Sequence, residues 1–152
     1  MATHEIKNFH EIDATLGTGG QPTSLQLREL AQDGYEVVVN LGLLDPRYCL
    51  PDEAGVVTQL GMKYHHIPVM FDDPRGEEFN AFVAVMDASA AAKVFVHCAL
   101  NWRVSSFVAL YRQMRMGWSA DQADAHARRF WHLNETWLKF VMERRKDLGL
   151  DG

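Results

Sequence analysis

Cysteine is scarce, with two in 152 residues. A disulfide-stapled secreted scaffold is thereby excluded, and a reducing compartment fits better. Long apolar runs are missing too, and none approaches the roughly 18 residues that a membrane-spanning helix needs. Positive charge is short: 15 Lys and Arg stand against 20 Asp and Glu, for a net charge of -5. Such a chain lacks the basic footprint of a nucleic-acid or anionic-membrane binder, so neither partner is expected. Residues from Met1 to Glu5 show no basic stretch followed by an apolar one, so no leader is read there and a cytoplasmic location is expected. The seven histidines are scattered, and His65 and His66 alternate faces on a strand, so no metal and no cofactor are expected. There is no internal repeat, low-complexity tract or linker. What remains is ordinary for a globular chain: 47% hydrophobic and 23% charged residues, enough for one domain over 1–152 with its own core.

The most informative stretch runs from Lys93 to Ser105. Lys93 to His97 is a short apolar run that reads as a buried strand. From Val104 the apolar residues Val104, Phe107, Val108 and Tyr111 recur with helical spacing until Gly117, a stop signal. Between them lies a tight loop with Cys98 at its start and Arg103 at its end. A strand, a loop and a helix N-terminus make an anion site, because loop amides and the first free N–H groups of the helix point at one spot. The field that draws an anion there also favours the thiolate form of a cysteine. An arginine adds a planar pair of donors for a tetrahedral oxyanion. The bland alternative is a buried core cysteine after a strand.

His97-Cys98, followed by Arg103 and Ser105, resembles the signature of the Cys-dependent protein tyrosine and dual-specificity phosphatases: His-Cys, five residues, Arg, then Ser or Thr. The resemblance implies Cys98 as nucleophile, Arg103 as clamp on the phosphoryl oxygens, and Ser105 as the hydroxyl that helps the thiolate leave. It also implies His97, Ala99, Leu100, Asn101 and Trp102 as the substrate-binding loop. Asn101 stands where that family usually has glycine, and asparagine tolerates the left-handed conformation better than most residues. Only four residues separate Cys98 from Arg103, one fewer than the signature, while Ser105 keeps its spacing. Either the loop is pinched and Arg103 still reaches the anion, or Arg103 points elsewhere. The segment Gly20-Gln-Pro-Thr23, the run from Gly34 to Leu41, the run from Gly61 to Val69 and the run from Trp131 to Phe140 resemble a bacterial phosphatase-like family that shares this shortened spacing.

Elsewhere, residues from Ile6 to Thr18 suggest one edge-like strand, and Gly17 to Pro22 reads as a turn whose glycines match neither nucleotide-loop pattern. Thr23 and Gln26 form a capping box for a helix ending at Gly34. Tyr35 to Leu41 reads as a buried strand. Asp52 caps a short helix in which Glu53 reads as a complement to the helix dipole, with reach to the Cys loop as the lesser reading. Cys49 could serve as a resolving thiol for Cys98, though an ordinary loop cysteine is the plainer reading. Lys63 to Val69 is the next strand. After it, Asp72 and Asp73 lie in a loop that in the phosphatase superfamily carries a general acid, needed because an alkoxide leaves poorly unless protonated. The competing reading is a turn with Asp73 as cap before Pro74, and a count from Pro68 falls on Phe71. Ser119 with Gln122, and Asn134, open two further helices.

The expected fold is a single α/β domain, a mostly parallel sheet of about four strands flanked by helices, as in dual-specificity phosphatases, with the Cys loop at the carboxyl end of a central strand. The expected function is a Cys-dependent hydrolase of phosphate monoesters, acting on a phosphorylated protein or small molecule. A weak or inactive module binding phosphate or sulfate, and sulfur transfer through a Cys98 persulfide, stay open beside it.

Overall fold

The structure, a computed structural model, describes residues 5–150. Residues 1–4 of the segment read above for a leader lie outside the described residues. The elements follow in the order β1 (His10–Asp13), β2 (Leu16–Gly19), α1 (Ser24–Gln32), β3 (Val37–Asn40), α2 (Glu53–Gln59), β4 (Lys63–His66), α3 (Gly76–Ala88), β5 (Val94–His97), α4 (Trp102–Met116), α5 (Ala120–Arg128) and α6 (Glu135–Leu148).

The α/β architecture is as expected, with one strand more. The described strands form a five-stranded sheet in the order β1-β2-β5-β3-β4, parallel except for the β1–β2 pair. Its central strands are valine-rich and buried on both faces, as parallel strands under helices must be. Their side chains alternate between two cores. Val37, Val39, Val94 and Val96 face the cluster filled by Phe79, Phe107 and Trp137 from α3, α4 and α6. Val38 and Phe95 face Leu27, Leu30 and Val57 from α1 and α2.

One reading needs correction. The span from Gly17 to Pro22 is not all turn, because Gly17 and Gly19 lie inside β2, which is buried and pairs with β5. Glycine sits there because the partners come close: a Cβ on Gly19 would meet Ile6 Cγ2 at 2.9 Å, and one on Gly17 would collide with the Tyr35 hydroxyl. Local turn propensity yields to that crowding. The capping box of Thr23 and Gln26, the cap at Asp52 and the cap at Asn134 all form. Asp73 does not cap α3; Arg75 occupies that position, its N–H donating to Glu78 Oε1 at 2.8 Å.

On the outer end of the sheet, His126 of α5 is buried among the rings of His10, Trp118 and Phe130, each centroid 5.6 Å away or, for Phe130, at the same distance edge-on. Burial pushes its pKa down from 6.5 to about 4, helped by the neighbouring His10, Arg129 and Arg112. The unfolded chain therefore binds a proton that the folded one refuses between those values, and stability falls as pH drops through that window. The linked loss at pH 4 is about 3 kcal/mol relative to neutral pH. Denaturant melts of His126→Phe should show that part of the acid loss removed.

Candidate active site

Strand β5 carries His97 at its buried end and hands the chain to a four-residue loop, Cys98 to Asn101, before α4 begins at Trp102. Asn101 closes the loop in the left-handed region, φ 68°, and its amide group donates to the Asn8 carbonyl at 2.9 Å and to Thr18 Oγ1 at 3.0 Å. Those two bonds hold a conformation that glycine would otherwise supply.

The loop carbonyls are turned into the scaffold. Ala99 O accepts from Gln21 N at 3.1 Å, Leu100 O from Asn8 Nδ2 at 2.8 Å, and Asn101 O from Ser105 N at 2.9 Å. The amides of Ala99, Leu100, Trp102 and Arg103, by contrast, donate to no atom among the described residues. Unpaired donors at a helix N-terminus are an anion cradle. Beside them lies a cavity of about 180 Å³ lined by Phe71, Cys98, Ala99, Leu100, Trp102 and Arg103.

The helix begins two residues earlier than Val104, so Arg103 belongs to its first turn and not to the end of the loop. Helical side chains lean toward the N-terminus, which brings Arg103 back over the loop to line the same cavity as Cys98. Arg103 is 6% exposed; its Nη1 donates to the Val69 carbonyl at 2.8 Å and its Nη2 to the Tyr48 hydroxyl at 3.5 Å. Ser105 is buried, and its hydroxyl donates to the Trp102 carbonyl at 2.7 Å.

The two aspartates stand apart from this group. Asp72 and Asp73 are exposed and neither lines the cavity. Asp73 pairs with Arg75 at 2.9 Å. Phe71 takes the wall position instead, its ring 6.0 Å from Trp102 and its carbonyl accepting from Trp137 Nε1 at 2.6 Å. Trp102 stacks on Trp131 at 5.0 Å. Cys49 and Cys98 are both unpaired.

Glu53 is more than a complement to the α2 dipole. It is 4% exposed, and its Oε2 lies 2.6 Å from His97 Nε2, while its Oε1 accepts from Gln21 Nε2 at 2.7 Å. The other ring nitrogen of His97, Nδ1, faces the Cys98 carbonyl at 3.2 Å. Burial by itself would push the Glu53 carboxyl up, but the bonds from His97 and Gln21 outweigh it and hold it below the usual value. Tyr48 has no signal of its own in the sequence, since a loop tyrosine is commonplace; Phe71 is marked only by the count from Pro68, and Gln21 only as part of the segment from Gly20 to Thr23.

A Cys loop at the carboxyl end of a central parallel strand, roofed by a helix N-terminus and an arginine, defines the dual-specificity phosphatase class of fold. The chain belongs to the family described as "DSP-PTPase phosphatase fused to NAD+ Kinase", whose model matches residues 2–139. It is similar to a candidate phosphatase (DUF442) from Shewanella putrefaciens CN-32, at 30% identity over 95% of each chain with a TM-score of 0.86. Tk-PTP in its active form shares the fold at 19% identity, covering 91% of this chain and 96% of the other, TM-score 0.79. PTPMT1 in complex with PI(5)P does so at 18% identity, covering 93% and 96%, TM-score 0.79. No curated protein matches the chain. No helix among the described residues is long and apolar enough to cross a membrane.

Proposed function

We propose that this chain, as one phosphatase-like domain over 1–152, hydrolyses phosphate monoesters through a phosphocysteine intermediate. The observation that carries the reading is that Ala99, Leu100, Trp102 and Arg103, whose amides donate to no atom among the described residues, line one cavity together with Cys98. Three equatorial phosphoryl oxygens need that many convergent donors, and no metal is required when backbone and arginine supply the positive field. Cys98 Sγ attacks phosphorus as the bond to the leaving oxygen breaks, and Arg103 with the loop amides takes up the charge on the remaining oxygens. The leaving oxygen takes its proton from Asp72 or Asp73. Asp73 is held by Arg75, so Asp72 is the freer donor, from a loop that would have to close over the bound ester. Water then attacks phosphorus and releases the thiolate, with Ser105 beside it. The reading needs a reduced thiol, which suits the cytoplasm.

PTPMT1 was solved with PI(5)P, a phosphate monoester on a lipid headgroup, and we infer the same bond class here without its lipid. A second reading, a phosphate-binding module with feeble turnover, draws on the Val69 carbonyl that occupies Arg103 Nη1. Acid quench during hydrolysis of an aryl phosphate, followed by peptide mass analysis, separates them. The expected result is a phosphoryl adduct on the peptide containing Cys98. Saturable phosphate binding with no adduct and no turnover above a Cys98→Ser control would leave the second reading standing.

A further inference from the structure

Helices α4, α5 and α6 enclose a second cavity, about 370 Å³, whose walls include Ala109, Leu110, Ala123, Ala127 and Val141. Leu138 and Met142 of α6 stand at its edge, 50% and 67% exposed. A hole of that size lined by side chains is in the range of small-molecule sites.

Its polar groups are few and uneven. Ser106 is 2% exposed and lines the cavity, and its hydroxyl has no hydrogen-bond partner among the described residues. A buried hydroxyl left unpaired costs about 1–3 kcal/mol, so a fold that keeps one here gains by pairing it. Arg145 is also buried; Nε donates to Gln113 Oε1 at 3.0 Å and Nη2 to Asp124 Oδ1 at 2.7 Å. A guanidinium has five N–H donors, more than those two acceptors use. Arg128, His132 and Leu133 complete the lining, which holds two arginines against the one aspartate, Asp124, so the charge of the cavity is positive. An apolar body with one anionic end matches that combination. At about 30 Å³ for each water-sized atom, the volume holds about a dozen non-hydrogen atoms.

We propose that this cavity binds an amphipathic monocarboxylate of that size, its chain against the apolar walls and its carboxylate accepting from the Ser106 hydroxyl in the field of Arg145 and Arg128. The site is separate from the Cys98 cavity and does not depend on the phosphatase reading, although both rest on α4: Ser106 lies three residues after Arg103.

Calorimetric titration of the full chain with decanoate, below its micelle concentration, tests the proposal, with decanol and decylammonium as matched probes. One saturable site for decanoate is expected, with decanol weaker and decylammonium weaker still. Ser106→Ala should lower decanoate affinity by about tenfold, the worth of a hydrogen bond to a charged acceptor. Its thermal stability should stay unchanged or rise, because the hydroxyl it removes is unpaired in the free protein. Three results would each overturn the proposal: no saturable decanoate binding, equal affinity for decylammonium, or an affinity unmoved by Ser106→Ala.

Discussion

Under the proposed function, replacing Arg103 with alanine should lower kcat for an aryl phosphate by about a hundredfold to a thousandfold, the usual cost of removing one preorganised donor from a developing oxyanion. Cys98→Ser should fall further, to the level of the uncatalysed ester, since the hydroxyl is a far poorer nucleophile than the thiolate. The arginine result is the more informative, because the loop is one residue shorter than the superfamily signature. If Arg103 clamps the transition state, kcat and kcat/KM fall together; if it only holds phosphate in the ground state, KM rises and kcat stays. Arg103 is buried and its Nη1 satisfies the Val69 carbonyl, so the alanine variant also leaves an acceptor unpaired and loses stability. Arg103→Lys controls for that loss. It keeps a positive charge near Val69 but cannot offer two parallel donors, so its melt should stay near wild type while kcat remains low. A lysine variant with wild-type kcat would show that charge alone suffices and that the fork is not used.

The parts of this molecule that local chemistry governs were legible in the sequence. The valine runs of β3 and β5, the capping box at Thr23 and Gln26, and the apolar face of α4 at Val104, Phe107 and Val108 all depend on neighbours within a few residues. The place of the Cys loop at the end of β5 followed from the same run. What escaped depends on distant partners. Gly17 and Gly19 look like a turn until Tyr35 and Phe95 are known to press on them. The helix starts at Trp102 because the Asn101 side chain is bound by Asn8 and Thr18, 93 and 83 residues away in sequence, and only then does Arg103 fall in the first turn. Asp72 and Asp73 stand exposed in the loop after β4, yet the cavity wall is Phe71. Glu53 and His97 are 44 residues apart, and no spacing rule joins them.

That buried pair yields the second large effect. Glu53→Ala should destabilise the protein by about 3–5 kcal/mol, whereas Glu53→Gln should cost about 1 kcal/mol or less. The difference follows from counting protons. Both nitrogens of His97 face oxygen acceptors, the Cys98 carbonyl and the Glu53 carboxyl, so the ring and the carboxyl hold two protons between them and the pair is neutral as a unit. Alanine removes the acceptor for both His97 and Gln21; it leaves the buried His97 Nε2 without a partner, while the half-buried Gln21 Nε2 keeps its bond to the Pro22 carbonyl. An amide at the same place can accept from Gln21 with its oxygen and donate its N–H to the Nε2 lone pair of a neutral His97, so every group keeps a partner. Both variants should also differ from wild type in acid. The Glu53 carboxyl is held below its usual 4.5 in the folded protein; it therefore contributes stability above that value, which is lost as pH falls through the lowered pKa. Glu53→Gln has no such group to titrate, and its denaturant stability should decline less steeply than that of wild type below pH 4.5. Equal losses for alanine and glutamine would mean that charge, and not hydrogen-bond pairing, holds His97 and the Cys loop above it in place.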